Sequence, residues 1–267
     1  MTIIVTGAAG GIGRSVVDAL ANELAGTGAP GLHTEPGDAD PATVLAVDLP
    51  GSDWPDHWQE AQSATVRCWE GDLSVESDVA ALYAAAEASG PITGIAHVAG
   101  IFDLVSLAET TLEQFERIHR VNTTGTFLLL REAARRMAEG GSVVTVTSNA
   151  ALVPRSGMAA YGSSKAAATQ LTRIAGLELA ERGIRANVVC PGSTDTSMQR
   201  GMWGDDPEGG RRAVLSGDPA AHRIGIPLGR IAEPQDVAEV VSFLLSERAR
   251  HVTLQEIFVD GGASLGP

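Results

Sequence analysis

Tyr161 and Lys165 stand four residues apart at the start of a helix-patterned stretch, "AYGSSKAAATQLTRIAGLELA", so their side chains share one face. Ser148 ends an apolar, strand-like run thirteen positions before the tyrosine. These residue types suit one kind of chemistry. A phenol titrates near ~10 and is a poor base at neutral pH. A neighbouring ammonium stabilises the phenolate and lowers that value. A serine hydroxyl beside the pair can hold a substrate oxygen. The set fits removal of a proton from an alcohol while its carbon gives up hydride. A Tyr-x-x-x-Lys pair alone is far more often an ordinary helix-surface pair, so the reading rests on its company.

The first companion is a glycine turn. "TGAAGGIG" follows the apolar run 2–6 and opens a helical segment. Gly7, Gly11 and Gly13 let the backbone turn sharply and let a pyrophosphate come close. The exposed N–H groups and the dipole at the helix start attract phosphate. A plain tight turn rivals this reading, but the strand–turn–helix context favours a dinucleotide site. The next strand ends "VLAVD" at Asp48. A carboxylate there accepts hydrogen bonds from the adenosine ribose and repels a 2′-phosphate, which points to NAD over NADP. No arginine lies inside the turn or directly after Asp48. The spacing exceeds the usual ~20 residues, and the Gly/Pro/Asp-rich stretch 25–43, read as a long surface loop, absorbs the excess.

These residues need a frame to hold them. Apolar runs at 2–6, 43–48, 65–70, 92–98, 142–147, 184–190 and 256–259 alternate with helical patterns at 11–25, 76–89, 111–138, 159–181 and 234–245. Such a βαβ series predicts an α/β fold: one doubly wound domain over 1–267, with a seven-stranded, mostly parallel sheet. Residues 195–229 are polar, with apolar anchors at Met198, Met202, Trp203 and Leu215. Their place after a strand end predicts a substrate lid. The 267 residues suffice for a large core, and the formal charge of −14 argues against nucleic acid or an anionic membrane as partner. Cys68 and Cys190, in apolar runs, read as buried free thiols in a reducing compartment. No Cys/His spacing suggests a metal, and no segment reads as a signal peptide or membrane span. The expectation is a cytoplasmic protein.

With Asp72 in "GDL", Asn122 in "VNTTG" and "PGSTDT" at 191–196, the motifs resemble those of the short-chain dehydrogenase/reductase family along essentially the whole chain. The resemblance implies a Rossmann-type fold with bound NAD(P), Tyr161 as acid/base, and Lys165 on the nicotinamide ribose, lowering the tyrosine pKa. It implies Ser148 as holder of the substrate oxygen and Asn122 as support for a proton-relay water. It places Gly7, Gly11, Ile12, Gly13, Asp48, Asp72, Leu73, Ala99, Gly100, Pro191, Gly192, Thr194 and Thr196 at the dinucleotide. Asp72 would contact adenine, and Thr194 and Thr196 the nicotinamide half. It also implies a homotetramer, packed through two long helices and the C-terminal region. One departure is "HVAG" at 97–100, where the family carries "NNAG" or "NAAG". This puts a strand-end hydrogen bond in doubt. We read His97 as structural, because the acid/base post is filled.

The C-terminal half narrows the substrate. "VPRSGMAAYGSSKAA", "NVVCPGSTDTSMQRGMW", "IPLGRIAEP" and "HVTLQEIFVDGGASLG" resemble the subfamily of 2,3-dihydro-2,3-dihydroxybenzoate dehydrogenases of catecholate siderophore pathways. This implies NAD-dependent oxidation of a small anionic cyclohexadiene carboxylate to an aromatic catechol. A carboxylate favours a fixed arginine. Arg155, between Ser148 and Tyr161, is one candidate and Arg200 in the lid another; an ordinary surface cation reads the same way. Met158, Met198 and Trp203 could cover the ring, and Gln199 could bond a hydroxyl or the carboxylate. For Met158 and Met202 plain packing is the favoured role. A close rival substrate is trans-2,3-dihydro-3-hydroxyanthranilate, giving 3-hydroxyanthranilate. Asn149 follows Ser148 where the catecholate enzymes are expected to carry Asp, and this bears on the choice. A cofactor-binding regulator on the same fold would typically have lost the Tyr or the Lys.

Overall fold

The computed structural model describes residues 1–25, 42–59, 65–219 and 223–265. Seven strands form one sheet: β1 (Thr2–Thr6), β2 (Thr43–Asp48), β3 (Thr65–Glu70), β4 (Ile92–His97), β5 (Ser142–Val146), β6 (Arg185–Pro191) and β9 (Glu256–Val259). Their order is β3-β2-β1-β4-β5-β6-β9, and every ladder in it is parallel. The order reverses between β1 and β4, the switch point at which α/β sheets open a crevice at their carboxyl ends. The sheet is as expected, with strand bounds within about a residue of the apolar runs.

Both faces are covered, as the unbroken apolar runs require. On β1, Ile3 and Val5 pack under α1 (Gly11–Leu24) and α8 (Pro234–Leu245), through Val16, Leu20, Val241 and Leu244. Ile4 points the other way, into a cluster with Leu82 and Tyr83 of α2 (Glu76–Glu87) and Leu129 and Ala133 of α4 (Gly125–Arg136). α5 (Ala159–Leu179) lies on this second face and carries Tyr161 and Lys165 in its first turns. Cys190 is buried, but Cys68 is exposed, correcting the expectation. Cys68 sits on the edge strand β3, where residues 67 and 68 are exposed.

The helical pattern at 111–138 resolves into two helices. α3 (Leu112–His119) starts at a capping box made by Thr111 and Gln114. It runs through a π turn, Arg120–Thr124, into α4. Asn122 lies inside that turn. The stretch read as a lid contains α6 (Ser197–Gly201), α7 (Pro207–Ser216) and a short antiparallel hairpin, β7 (Gly217–Asp218) with β8 (Arg223–Ile224). It has its own small core of Val214, Ile226, Ile231 and Ala263, with Trp203 and Leu215 against it. Of the loop read at 25–43, residues 26–41 lie outside the described residues.

Candidate active site

The glycine turn is dictated by space. Gly7 has φ +66°, and a Cβ there would stand 2.7 Å from the backbone of Ala99 at the end of β4. A Cβ on Gly13 would stand 2.0 Å from the Gly7 carbonyl oxygen. The turn can therefore close only without side chains at both positions. No side chain caps the N-terminus of α1, so its first N–H groups remain for a ligand. Asp48 ends β2 beside this turn. One carboxylate oxygen accepts from the Ala9 N–H at 2.9 Å and the other from the Leu49 N–H at 2.8 Å. Thr196 lies against Gly11, and Asp72 accepts from the Ser74 N–H at 2.8 Å. The residues present thus fit a dinucleotide: an uncapped helix start, a cradle that a Cβ would fill, and a carboxylate at the next strand end.

Behind the turn runs a chain of buried hydrogen bonds. The Thr6 hydroxyl accepts from the N–H groups of Val98 and Ala99, both at 3.2 Å, and lies 2.8 Å from His97 Nδ1. His97 Nε2 lies 2.9 Å from the Thr126 hydroxyl, which donates to the Asn122 carbonyl at 2.6 Å. Only one placement of protons satisfies every partner. Thr6 donates to Nδ1, and Nε2–H donates to Thr126. His97 is thus neutral, and burial, followed by the charge of Lys165, pushes its pKa down to about 3. The strand-end hydrogen bond placed in doubt by "HVAG" is made by this imidazole.

Asn122 is buried and its side chain is fully occupied. Nδ2 donates to the Ile101 carbonyl at 2.9 Å and to Ser164 Oγ at 3.0 Å, while Oδ1 accepts from the Ile101 N–H at 2.9 Å. It stands behind Gly100, where a Cβ would come within 2.8 Å of Lys165 Nζ and 3.2 Å of Asn122 Oδ1. In front of it, Lys165 Nζ donates to the Val146 carbonyl at 3.3 Å and lies 5.9 Å from the centre of the Tyr161 ring. Phe102 meets that ring edge to face, with centroids 4.8 Å apart. Ser148 accepts from the Ala150 N–H at 3.1 Å and lines the same cavity as Tyr161. Burial pushes the Tyr161 phenol up to about 12, with the Ser148 hydroxyl opposing. Burial also brings Lys165 down to about 8, with Cys190 opposing. On the phenol, burial outweighs the influence of the Ser148 hydroxyl.

Ser148, Tyr161 and Lys165 open into a cavity of about 330 Å³, at the carboxyl ends of β4, β5 and β6. Arg155, Met158, Met198, Gln199 and Trp203 all line it. So do Ile12, Gly100, Pro191, Gly192, Thr194 and Thr196 from the dinucleotide side. Arg200 does not; its guanidinium pairs with Asp195 at 2.6 Å outside the cavity, which removes it as a carboxylate partner. Arg155 is half-buried, and burial, then the nearby charge of Arg223, lowers its pKa while Asp260 opposes.

The chain matches the family model described as enoyl-(acyl carrier protein) reductase over residues 38–264. It is 38% identical to a 2,3-dihydro-2,3-dihydroxybenzoate dehydrogenase of Bacillus subtilis over 265 residues, 98% of this chain and 95% of that one. It is 45% identical to a vibriobactin-specific 2,3-dihydro-2,3-dihydroxybenzoate dehydrogenase of Vibrio cholerae over 179 residues, 65% of this chain and 68% of that one. The crystal structure of levodione reductase superposes with a TM-score of 0.80 at 28% identity, covering 100% of this chain and 98% of that chain. The chain belongs to the short-chain dehydrogenase/reductase family. It is an oxidoreductase, and dehydrogenases of this family generally use a nicotinamide cofactor.

Within this short-chain dehydrogenase, several wall residues were not foreseen. Phe102 and Leu104 follow β4, and their position after a strand end was the available signal. Val214, Asp218 and Arg223 come from the lid, where nothing in the local pattern separates wall residues from solvated ones. Asn149 also lines the cavity, and its side chain donates to Asp260 at 3.3 Å. Burial works to raise the Asp260 pKa, but its hydrogen bonds, including those from Asn149 and the Gly262 N–H, hold it below the ordinary carboxylate range.

Proposed function

We propose that the protein is an NAD-dependent dehydrogenase that oxidises a 2,3-dihydro-2,3-dihydroxybenzoate-type cyclohexadiene carboxylate to 2,3-dihydroxybenzoate, in siderophore or related secondary metabolism. One observation carries the reading. In a chain of net charge −14, the cavity beside Tyr161 is lined by Arg155, Lys165 and Arg223 against one carboxylate, Asp218. A small anion fits such a site, and Met158, Met198 and Trp203 offer apolar cover for a ring. The names of the relatives support the same substrate. The excess of positive charge favours the diol over the amino-alcohol rival, whose amine would be repelled.

When bound, the nicotinamide supplies the hydride acceptor for the substrate's carbinol carbon. Tyr161 takes the hydroxyl proton as the carbonyl forms, and Ser148 holds the developing carbonyl oxygen. Lys165 binds the nicotinamide ribose and provides the charge that makes the phenolate accessible. Asn122 positions Gly100–Ile101 and the cofactor-facing backbone, and through its π turn supports the proton's return to water. The ketone then loses a ring C–H proton and gains one on oxygen, completing the aromatic ring. Asp48 selects NAD by accepting from the ribose and repelling a 2′-phosphate. Gly7, Gly11, Ile12, Gly13, Asp72, Leu73, Ala99, Gly100, Pro191, Gly192, Thr194 and Thr196 hold the rest of the dinucleotide.

Exposed Phe115, Phe127, Ile174 and Leu177 on α3, α4 and α5 support self-association, read as a homotetramer of single-domain chains. Among the described residues no helix is long and apolar enough to cross a membrane. The free thiol Cys68, exposed, fits a reducing compartment, and we place the protein in the cytoplasm.

The test is to mix the protein with NAD and the dihydrodiol carboxylate, and in parallel with the amino analogue, following NADH and the aromatic product. Turnover of the diol is expected; indifference to both would end the ring-carboxylate reading. The pH dependence is a second check. Burial pushes the Tyr161 phenol up and the Lys165 ammonium down, and the reaction needs the phenolate beside a charged ammonium. Oxidation should therefore rise with pH as the phenol ionises, and Lys165→Met, which removes the neighbouring charge, should move that limb to higher pH.

A further inference from the structure

We propose that Arg223, on the hairpin over the cavity, is a specificity-determining residue that shares the substrate carboxylate with Arg155. This rests on the ring-carboxylate reading above and adds a residue to it.

The two arginines reach one cavity from different elements. Arg155 lies in the segment before α5, and Arg223 on β8. Arginines elsewhere have found partners: Arg14 pairs with Asp53, Arg200 with Asp195 and Arg230 with Asp236. Among the described residues, neither Arg155 nor Arg223 forms a hydrogen bond or ion pair, although the chain has acidic groups in excess. Each feels the other, since Arg223 is the main charge acting against the ionised form of Arg155. Two half-buried guanidiniums facing one space repel unless an anion joins them. A carboxylate has two oxygens and can accept from both.

The hairpin is built to hold that geometry. Gly217 has φ +82°, and a Cβ there would stand 2.6 Å from the Arg223 carbonyl oxygen, so the two strands meet without intervening bulk. The Ile226 N–H donates to the Leu215 carbonyl at 3.0 Å, and the Leu228 N–H to the Gly261 carbonyl at 3.1 Å. Ile226 is buried with Val214, Ile231 and Ala263. The backbone of Arg223 is therefore tied to α7 and to the C-terminal segment. Asp218, its cross-strand neighbour, already has a partner and leaves the wall with a cationic balance.

The experiment is calorimetric titration of the NAD-saturated protein with 2,3-dihydroxybenzoate and with catechol, the same ring without its carboxylate. Arg223→Gln and Arg155→Gln should each weaken 2,3-dihydroxybenzoate by roughly 10- to 100-fold, the range of a lost charged hydrogen bond, with catechol changed less than about twofold. Arg223→Lys should recover part of the loss, which also shows that the hairpin still folds. If Arg223→Gln binds 2,3-dihydroxybenzoate like the wild type, or weakens both ligands equally, the proposal is overturned. If the wild type itself does not prefer 2,3-dihydroxybenzoate to catechol, the ring-carboxylate reading fails, and this inference with it.

Discussion

Around the glycine turn the polar groups are engaged: both oxygens of Asp48 accept backbone N–H groups, and Thr6, His97, Thr126 and Asn122 form one closed chain. Across the cavity the lid presents Arg223, without a partner among the described residues, and Met198 almost half-exposed at 46%. The first region is a rigid mould of backbone, suited to a ligand whose phosphates and riboses never vary. The second is a set of side chains on surface elements, held by the small core around Ile226. The difference teaches where each kind of information resides. Closeness of main chain shapes the glycine turn, and side-chain charge shapes the wall opposite.

Variants can break or sharpen this contrast. The largest effect is expected at the junction of the two regions. Tyr161→Phe should lower kcat by roughly 10²- to 10⁴-fold while NAD affinity, read by calorimetry, stays within about twofold; loss of NAD binding as well would merge the two regions. Next is acid stability. The folded pKa of His97, about 3, lies below its unfolded value near ~6.5, so the unfolded chain binds the extra proton. The stability is fully present above about pH 6.5 and is lost as pH falls toward 3, by up to about 4 kcal/mol for this one group. Denaturant titrations at stepped pH should show this slope, and His97→Asn should flatten it. A third effect belongs to the mould alone. Asp48→Ala should raise the KM for NAD by roughly 10- to 100-fold and relax discrimination against NADP, with little change in substrate KM at saturating NAD. The smallest lies in the lid. Met198→Ala should raise substrate KM by roughly two- to fivefold through lost apolar contact, with stability within ~0.5 kcal/mol of wild type.

Most of the mould was legible because glycine spacing, strand ends and the Tyr-Lys interval are local facts of the chain. The parallel sheet followed from the alternation of apolar runs and helical periods. What escaped depends on long-range burial. Nothing near Tyr161 announces that burial pushes its phenol up. Asn122 was read as support for a proton-relay water, and nothing local announces that its amide is bound face to face with the Ile101 backbone. Arg155 was the first carboxylate candidate and Arg200 the second; nothing local shows that Asp195, five positions before Arg200, pairs with it. Arg223 lies in a stretch whose polarity hides its neighbours. Cys68 looked interior because an edge strand carries the same apolar pattern as a central one.

The π turn at Arg120–Thr124 has a further consequence. It stores one residue more than an ordinary helix would use between α3 and α4. Five residues of the wider turn cover about the angle that four cover in an α-helix, where each advances about 100°. Removing one residue there would let the ladder close as a plain α-helix with Thr111–His119 still nearly in phase with Gly125–Arg136. Ile118 and Leu129 would stay inside, but the bulged backbone that sets Asn122 against Ile101 would be lost. Substitution of exposed Arg120 should leave the site intact, whereas a one-residue deletion in this turn should cost activity while the helices still pack.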